Sequence, residues 1–172
     1  MDPSPVRLPK SLEGTPPAVA LLEGLAANAA PMFEGGTLAV PCVALDSRLV
    51  DVLKGANLSR RLIRGLERAD SKLSAENHGL ALADRSSGVE RGERVSRLLL
   101  IASGGGKGFY KRVEKLLQRE GPRVMAIRLD ATSIELGAPL FGAERGAQLV
   151  MLAHKDSVVA SLLAIAARFD TP

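Results

Sequence analysis

Ser103-Gly104-Gly105-Gly106-Lys107-Gly108 is the stretch of this 172-residue chain that most invites a chemical reading. It follows the apolar run Arg97–Ala102 and precedes an amphipathic segment, so it joins a strand to a helix. Main-chain amides at such a helix start can hold a phosphate. A Walker loop needs a glycine, four residues, then Gly-Lys and Ser/Thr for magnesium. Here Gly108 stands where the hydroxyl is needed, and Ile101 stands where the first glycine is needed. A dinucleotide fingerprint fails too, because Phe109 occupies its third glycine position. The turn therefore reads as a flexible βα connection, with an anion or RNA-phosphate contact at Gly105, Gly106 and Lys107 as its functional alternative.

Other reactive types are sparse. His78 and His154 are the two histidines, and Cys42, the single cysteine, is remote from both in sequence. None of these has metal-ligand spacing, and Ser103 lacks the context of a nucleophile elbow. Asp130 follows an apolar strand-like run, where α/β enzymes place acids, but a helix cap is the plainer account. No metal, no cofactor and no enzymatic activity are expected.

Lys54-Gly55-Ala56-Asn57, followed by Arg60, Arg61, Arg64 and Arg68, is the densest basic constellation. Read as an amphipathic helix over 57–68 with Asn57 as its N-cap, it puts Leu58, Leu62, Ile63 and Leu66 on one stripe. Arg60, Arg64 and Arg68 then form another. Such a helix start offers amides and an amide side chain to base edges, and guanidinium groups to phosphates. A solvated basic face would give the same pattern.

These residues must be carried by a scaffold, and the rest of the chain supplies one. Hydrophobic residues make up 46%, enough for a core, and no apolar run approaches the roughly 20 residues of a membrane span. The start of the chain lacks the order of a secretory signal, and one cysteine precludes an internal disulfide. Lys plus Arg number 23 against 19 Asp plus Glu, a net charge of +4, which mildly suits a polyanion partner. With aromatics at 3% and no Trp, base-stacking platforms are disfavoured. Residues 1–17 read as a Pro-rich tail, and 18–172 as a single α/β domain with a polar insertion at about 70–94. Helices are expected over 18–30, 109–120, 132–140 and 156–168, and strands near 38–45, 97–102, 123–129 and 148–153. A further short strand at 78–83 is conceivable within the insertion. The strand–helix alternation after residue 95 predicts parallel strands with crossover helices.

Lys54-Gly55-Ala56-Asn57, then Arg61 and Arg64-Gly65, resembles the "KGANE…K…RG" signature of the L-seven-Ae family of kink-turn RNA-binding proteins. Leu98–Ala102 resembles that family's "LVVIA" strand. Glu135-Leu136-Gly137 with Phe141-Gly142 resembles its "ELG…G" segment. The similarity runs with a gap from about Leu49 to Phe169. It implies a three-layer α-β-α sandwich with a mostly parallel central sheet of about four strands. It also implies binding to a sharply bent RNA internal loop. Gly55 and Asn57 match positions that approach tandem G·A pairs, and Arg61 takes the place of a lysine. The loop 143–147, with Glu144 and Arg145, matches the segment that packs against a flipped-out nucleotide. Leu58 departs from the family's glutamate, and Ser103–Gly108 replaces an acidic segment. The divergence looks closer to the Pop-three and Rpp-thirty-eight subunits of ribonuclease P and MRP than to a housekeeping ribosomal protein.

The expected role is a non-catalytic RNA-binding subunit of a ribonucleoprotein, nuclear, nucleolar or cytoplasmic and not secreted. Its partners would be structured RNA and other protein subunits, with no membrane. The alternative is a protein-interaction scaffold on the same fold.

Overall fold

The protein is seen in a computed structural model that describes residues 6–87 and 94–169. Helix α1 spans Pro16–Ala27, and strands β1 (Ala29–Pro31) and β2 (Ala39–Ala44) form an antiparallel pair. Helix α2 (Ser47–Leu58), strand β3 (Leu62–Arg64) and helix α3 (Leu66–Ser87) follow. The second half runs β4 (Arg97–Ile101), α4 (Lys107–Glu120), β5 (Val124–Asp130), α5 (Ser133–Phe141), β6 (Leu149–Leu152) and α6 (Lys155–Ala166). The six strands form one sheet in the order β1-β2-β5-β4-β6-β3.

Period-two alternation along the strands divides the core between two faces. Leu98 and Leu100 of β4 pack with Leu49 and Leu53 of α2, Leu21 and Leu25 of α1, Leu136 of α5, and Leu162 and Ile165 of α6. Leu99 and Ile101 point the other way, to Leu66 and Leu73 of α3 and Tyr110, Val113 and Leu116 of α4. The result is the expected α-β-α sandwich, with β2, β5 and β4 parallel at its centre.

Several expectations are corrected. β6 runs antiparallel to β4, pairing Leu99 with Met151, so the last strand is not part of a parallel series. The connection through α5 leaves β5 and enters β6 at the same end of the sheet, so this helix does not cross over. Residues 57–68 are not one helix. Arg60 takes a positive φ of 58°, Arg61 N–H closes onto Ala56 C=O at 2.8 Å, and α2 ends at Leu58. Leu62–Arg64 then pairs with β6, and Gly65 (φ 95°) turns the chain into α3. The polar stretch from residue 70, expected as a loop with a short strand at 78–83, is helix as far as Ser87; residues 88–93 lie outside the described part. The proposed tail is also partly integrated. Leu8 and Leu12 are buried in the core, and Glu13 pairs with Arg94 at 2.8 Å.

One polar cluster locks α3 to the sheet. Glu76 receives Arg97 Nη2 at 2.8 Å and Arg123 Nη1 at 3.2 Å, and Asn77 Nδ2 donates to Glu120 at 2.6 Å. Burial pushes the Glu76 carboxyl up, but the hydrogen bonds and charges of Arg97 and Arg123 outweigh this and hold it below its ordinary value of 4.5. The folded chain thus binds this proton less tightly than the unfolded one. The contribution is complete above about 4.5 and lost as pH falls through the lower folded value. Glu76→Gln, which leaves two guanidinium groups short of a countercharge, should cost about 2 kcal/mol at pH 7. Urea midpoints should show that difference shrinking as both proteins are acidified below 4.5; a pH-independent difference would refute it.

Candidate functional site

The basic constellation read from the sequence is divided by the fold. Lys54, Gly55 and Asn57 sit in the last turns of α2, at its carbonyl end rather than at an amide end. The helix dipole there favours cations, not phosphates. Asn57 is no N-cap: its Nδ2 donates to Leu140 C=O at 2.9 Å, tying α2 to the end of α5. Arg60 lies exposed in the turn, and Arg61 pairs loosely with Asp156 at 3.7 Å. Arg61 marks one end of β3, and Arg64 the other, roughly 10 Å along the strand.

Arg64 is brought to the loop that carries Glu144 and Arg145. Its Nη2 donates to Gly146 C=O at 2.6 Å, and its guanidinium lies 4.8 Å from the centre of the Phe141 ring. That loop is tightly formed. Gly142 (φ 113°) and Glu144 (φ 66°) both take left-handed backbone, and Ala147 N–H returns to Ser133 C=O at 2.8 Å. Glu144 and Arg145 are thereby held exposed.

The helix start in this neighbourhood is α3, at Gly65–Leu66, which the reading of 57–68 as one helix concealed. The signal was present as Gly65 ahead of Leu66-Glu67-Arg68. Gly65 N–H donates to Leu149 C=O at 2.8 Å, so α3 begins beside the first residue of β6. On the other side of β6, Gln148 Nε2 donates to Ala102 C=O at 2.9 Å and Ser103 C=O at 3.2 Å, pinning the Gly-rich turn. Gly105 N–H donates to the Tyr110 hydroxyl at 3.1 Å. Gly106 is the N-cap of α4 and offers no side-chain cap. Arg112 in the second turn of α4 reaches Glu67 in the first turn of α3 at 3.5 Å, so the N-terminal halves of the two helices are neighbours.

One end of the sheet thus gathers two helix N-termini without side-chain caps, the Gly142–Gly146 loop and the cations Arg64, Arg68, Lys107 and Arg145. Lys107 and Arg68 are exposed, and neither makes an ion pair among the described residues. Amide ends, positive dipole and free cations together suit an anion, and a line of them suits a phosphate backbone. The other sequence candidates are placed elsewhere. His78 is exposed on α3, and His154 caps α6 by accepting from Asp156 N–H at 3.2 Å. Asp130 is the exposed last residue of β5, while the cap of α5 is Thr132, reciprocated by Glu135. Among the described residues no cluster of His, Cys, Asp or Glu could hold a metal, and no helix is long and apolar enough to cross a membrane.

Fold and rim together define an α/β sandwich with a basic, glycine-rich end. No protein-family model matches the chain, and no curated protein matches its sequence. Solved structures do. A Bacillus halodurans protein of unknown function has a TM-score of 0.50 at 11% identity, over 71% of this chain and 99% of that one. This likeness shows the fold alone. A Giardia lamblia 15.5kD RNA binding protein gives a TM-score of 0.46 at 13% identity, over 74% of this chain and 92% of that one.

Proposed function

We propose that this protein is a non-catalytic RNA-binding subunit of a ribonucleoprotein, of the ribonuclease P/MRP or ribosomal kind, that receives a kinked or otherwise structured RNA. The observation that carries the reading is the convergence of two uncapped helix starts with Arg64, Lys107 and Arg145 at one end of the sheet. Phosphate groups would take the amides of Leu66–Arg68 and of Gly106 and Lys107; the Gly105 amide, a candidate from the sequence, is already held by the Tyr110 hydroxyl. The Glu144–Arg145 loop would meet a base displaced from its helix. The resemblance of Glu135-Leu136-Gly137 and its following loop to the kink-turn family supports this assignment. Recognition then moves from Gly55–Asn57, where the helix ends, to Gly65–Arg68, where the next begins.

The test is binding of the purified chain to a labelled kink-turn RNA against an unkinked duplex of equal length. Selective binding is the expected result; equal binding to both, or none, would sink it. A scaffold role among protein subunits is the second reading, favoured by Leu58, which is 85% exposed at the end of α2.

A further inference from the structure

β3 is the outermost strand on its side of the sheet, and its outer edge is open. The hydrogen-bond phase of the β3–β6 pair fixes which groups face outward. Gly65 N–H donates to Leu149 C=O, and Ala153 N–H to Arg61 C=O, each at 2.8 Å. The Arg61 carbonyl, Ile63 and the Gly65 amide therefore face β6, and Leu62 and Arg64 turn their main chain away from it. Among the described residues no strand takes up those outward amides and carbonyls. Beside them lies a trench of about 420 Å³, lined by Asn57, Leu62, Ile63, Arg64, Arg68 and Phe141. One wall comes from α2 and the end of α5, the other from α3, and the strand edge forms the floor. That is the shape left by a missing strand between two helical layers.

The lining holds two cations and no carboxylate. Arg64 is already anchored on Gly146 and Phe141, whereas Arg68 is exposed and makes no ion pair among the described residues. Edge strands are normally blunted by charge, proline or cover. Here the charge is of one sign, so it repels basic strands and admits acidic ones.

We infer that this trench is a docking site for an extended acidic segment of a partner protein, which adds to the sheet as a seventh strand alongside β3. Main-chain bonds to Leu62 and Arg64 supply affinity, and a carboxylate facing Arg68 sets sign and register. The trench shares Arg64 and Arg68 with the basic rim, so RNA and the acidic strand would compete for them; the outward main-chain groups of Leu62 and Arg64 belong to the strand site alone.

The experiment is amide-resolved NMR on the ¹⁵N-labelled chain. In the free protein, the Leu62 and Arg64 amides should exchange with solvent much faster than Ile63. The probe is an acetylated seven-residue peptide alternating threonine and glutamate. It should shift and protect the Leu62 and Arg64 amides at high micromolar to millimolar concentration. N-methylation of alternate peptide residues should abolish the effect, and Arg68→Glu should weaken it by roughly tenfold or more. Protected Leu62 and Arg64 amides in the free chain would overturn the inference, because the edge would then be covered. So would an unchanged response to the N-methylated peptide. So would a trench in which a kink-turn RNA shifts these amides while the peptide does not. Loss of RNA binding alone, with the peptide response intact, would leave this site standing and remove the other.

Discussion

Raising salt from about 50 to about 200 mM should weaken binding of a kink-turn RNA by roughly a hundredfold, if about four phosphates are neutralised. The rim supplies four cations for this: Arg64, Arg68, Lys107 and Arg145. Lys107→Ala with Arg145→Ala should cost about tenfold per site and lower the slope of affinity against salt by about 2. Both positions are exposed and neither supports the core, so urea midpoints should stay within about 0.5 kcal/mol of the parent. Lys54→Ala with Arg60→Ala is the contrasting pair. These residues lie on α2 and just beyond its end, and should change affinity by less than about threefold through the general field alone. A flat salt response would exclude a phosphate interface. A larger loss at Lys54 and Arg60 than at Lys107 and Arg145 would return the site to the end of α2.

Gly137→Ala is expected to be severely destabilising although it places a better helix former inside α5. Gly137 is buried, and a Cβ there would run into main-chain atoms of the neighbouring loop: Arg145 C=O, Ala147 N at 2.6 Å and Gly146 C at 2.7 Å. Main chain cannot swing aside as a side chain can. The propensity gain of about 1 kcal/mol is therefore outweighed by overpacking of about 3 kcal/mol, for a net loss of roughly 2 kcal/mol. The same clash displaces the loop that presents Glu144 and Arg145, so RNA affinity should fall even at temperatures where the variant is folded. Gly55→Ala is the informative control. It is also helical, but nothing lies within 4 Å of its added Cβ, and it should stabilise by up to about 1 kcal/mol. Denaturant titration of the three proteins decides the matter. A Gly137→Ala protein as stable as its parent would mean that α5 and the loop are less closely packed.

The sequence by itself determined the class of fold and most of its second half. Arg97–Ile101, Val124–Asp130 and Leu149–Leu152 are short apolar runs bounded by turn signals. The helices after them carry apolar residues at helical spacing, and these local patterns survive in the folded chain. The exposed Glu144–Arg145 loop and the Gly-rich turn were also legible, because glycine clusters mark turns whatever surrounds them.

Tertiary structure alone decided the rest. Leu62-Ile63-Arg64 has a helical pattern of apolar residues, yet pairing with Val150–Leu152 makes it a strand, and partial burial of Leu62 on one face and Ile63 on the other outweighs its local preference. That one pairing moved the helix start from Asn57 to Leu66 and with it the candidate site. The direction of β6 was likewise hidden, since a strand's own sequence does not record which way its neighbour runs. The stretch after Asp70 is polar yet helical as far as Ser87. Leu73 is buried against the sheet, and Glu76 is paired with Arg97 and Arg123, partners 21 and 47 residues away that no local window contains. Leu8 and Leu12 were obscured by the prolines around them, and only the core cluster they share with Leu21 and Leu25 of α1 and Leu98 of β4 shows why they are buried.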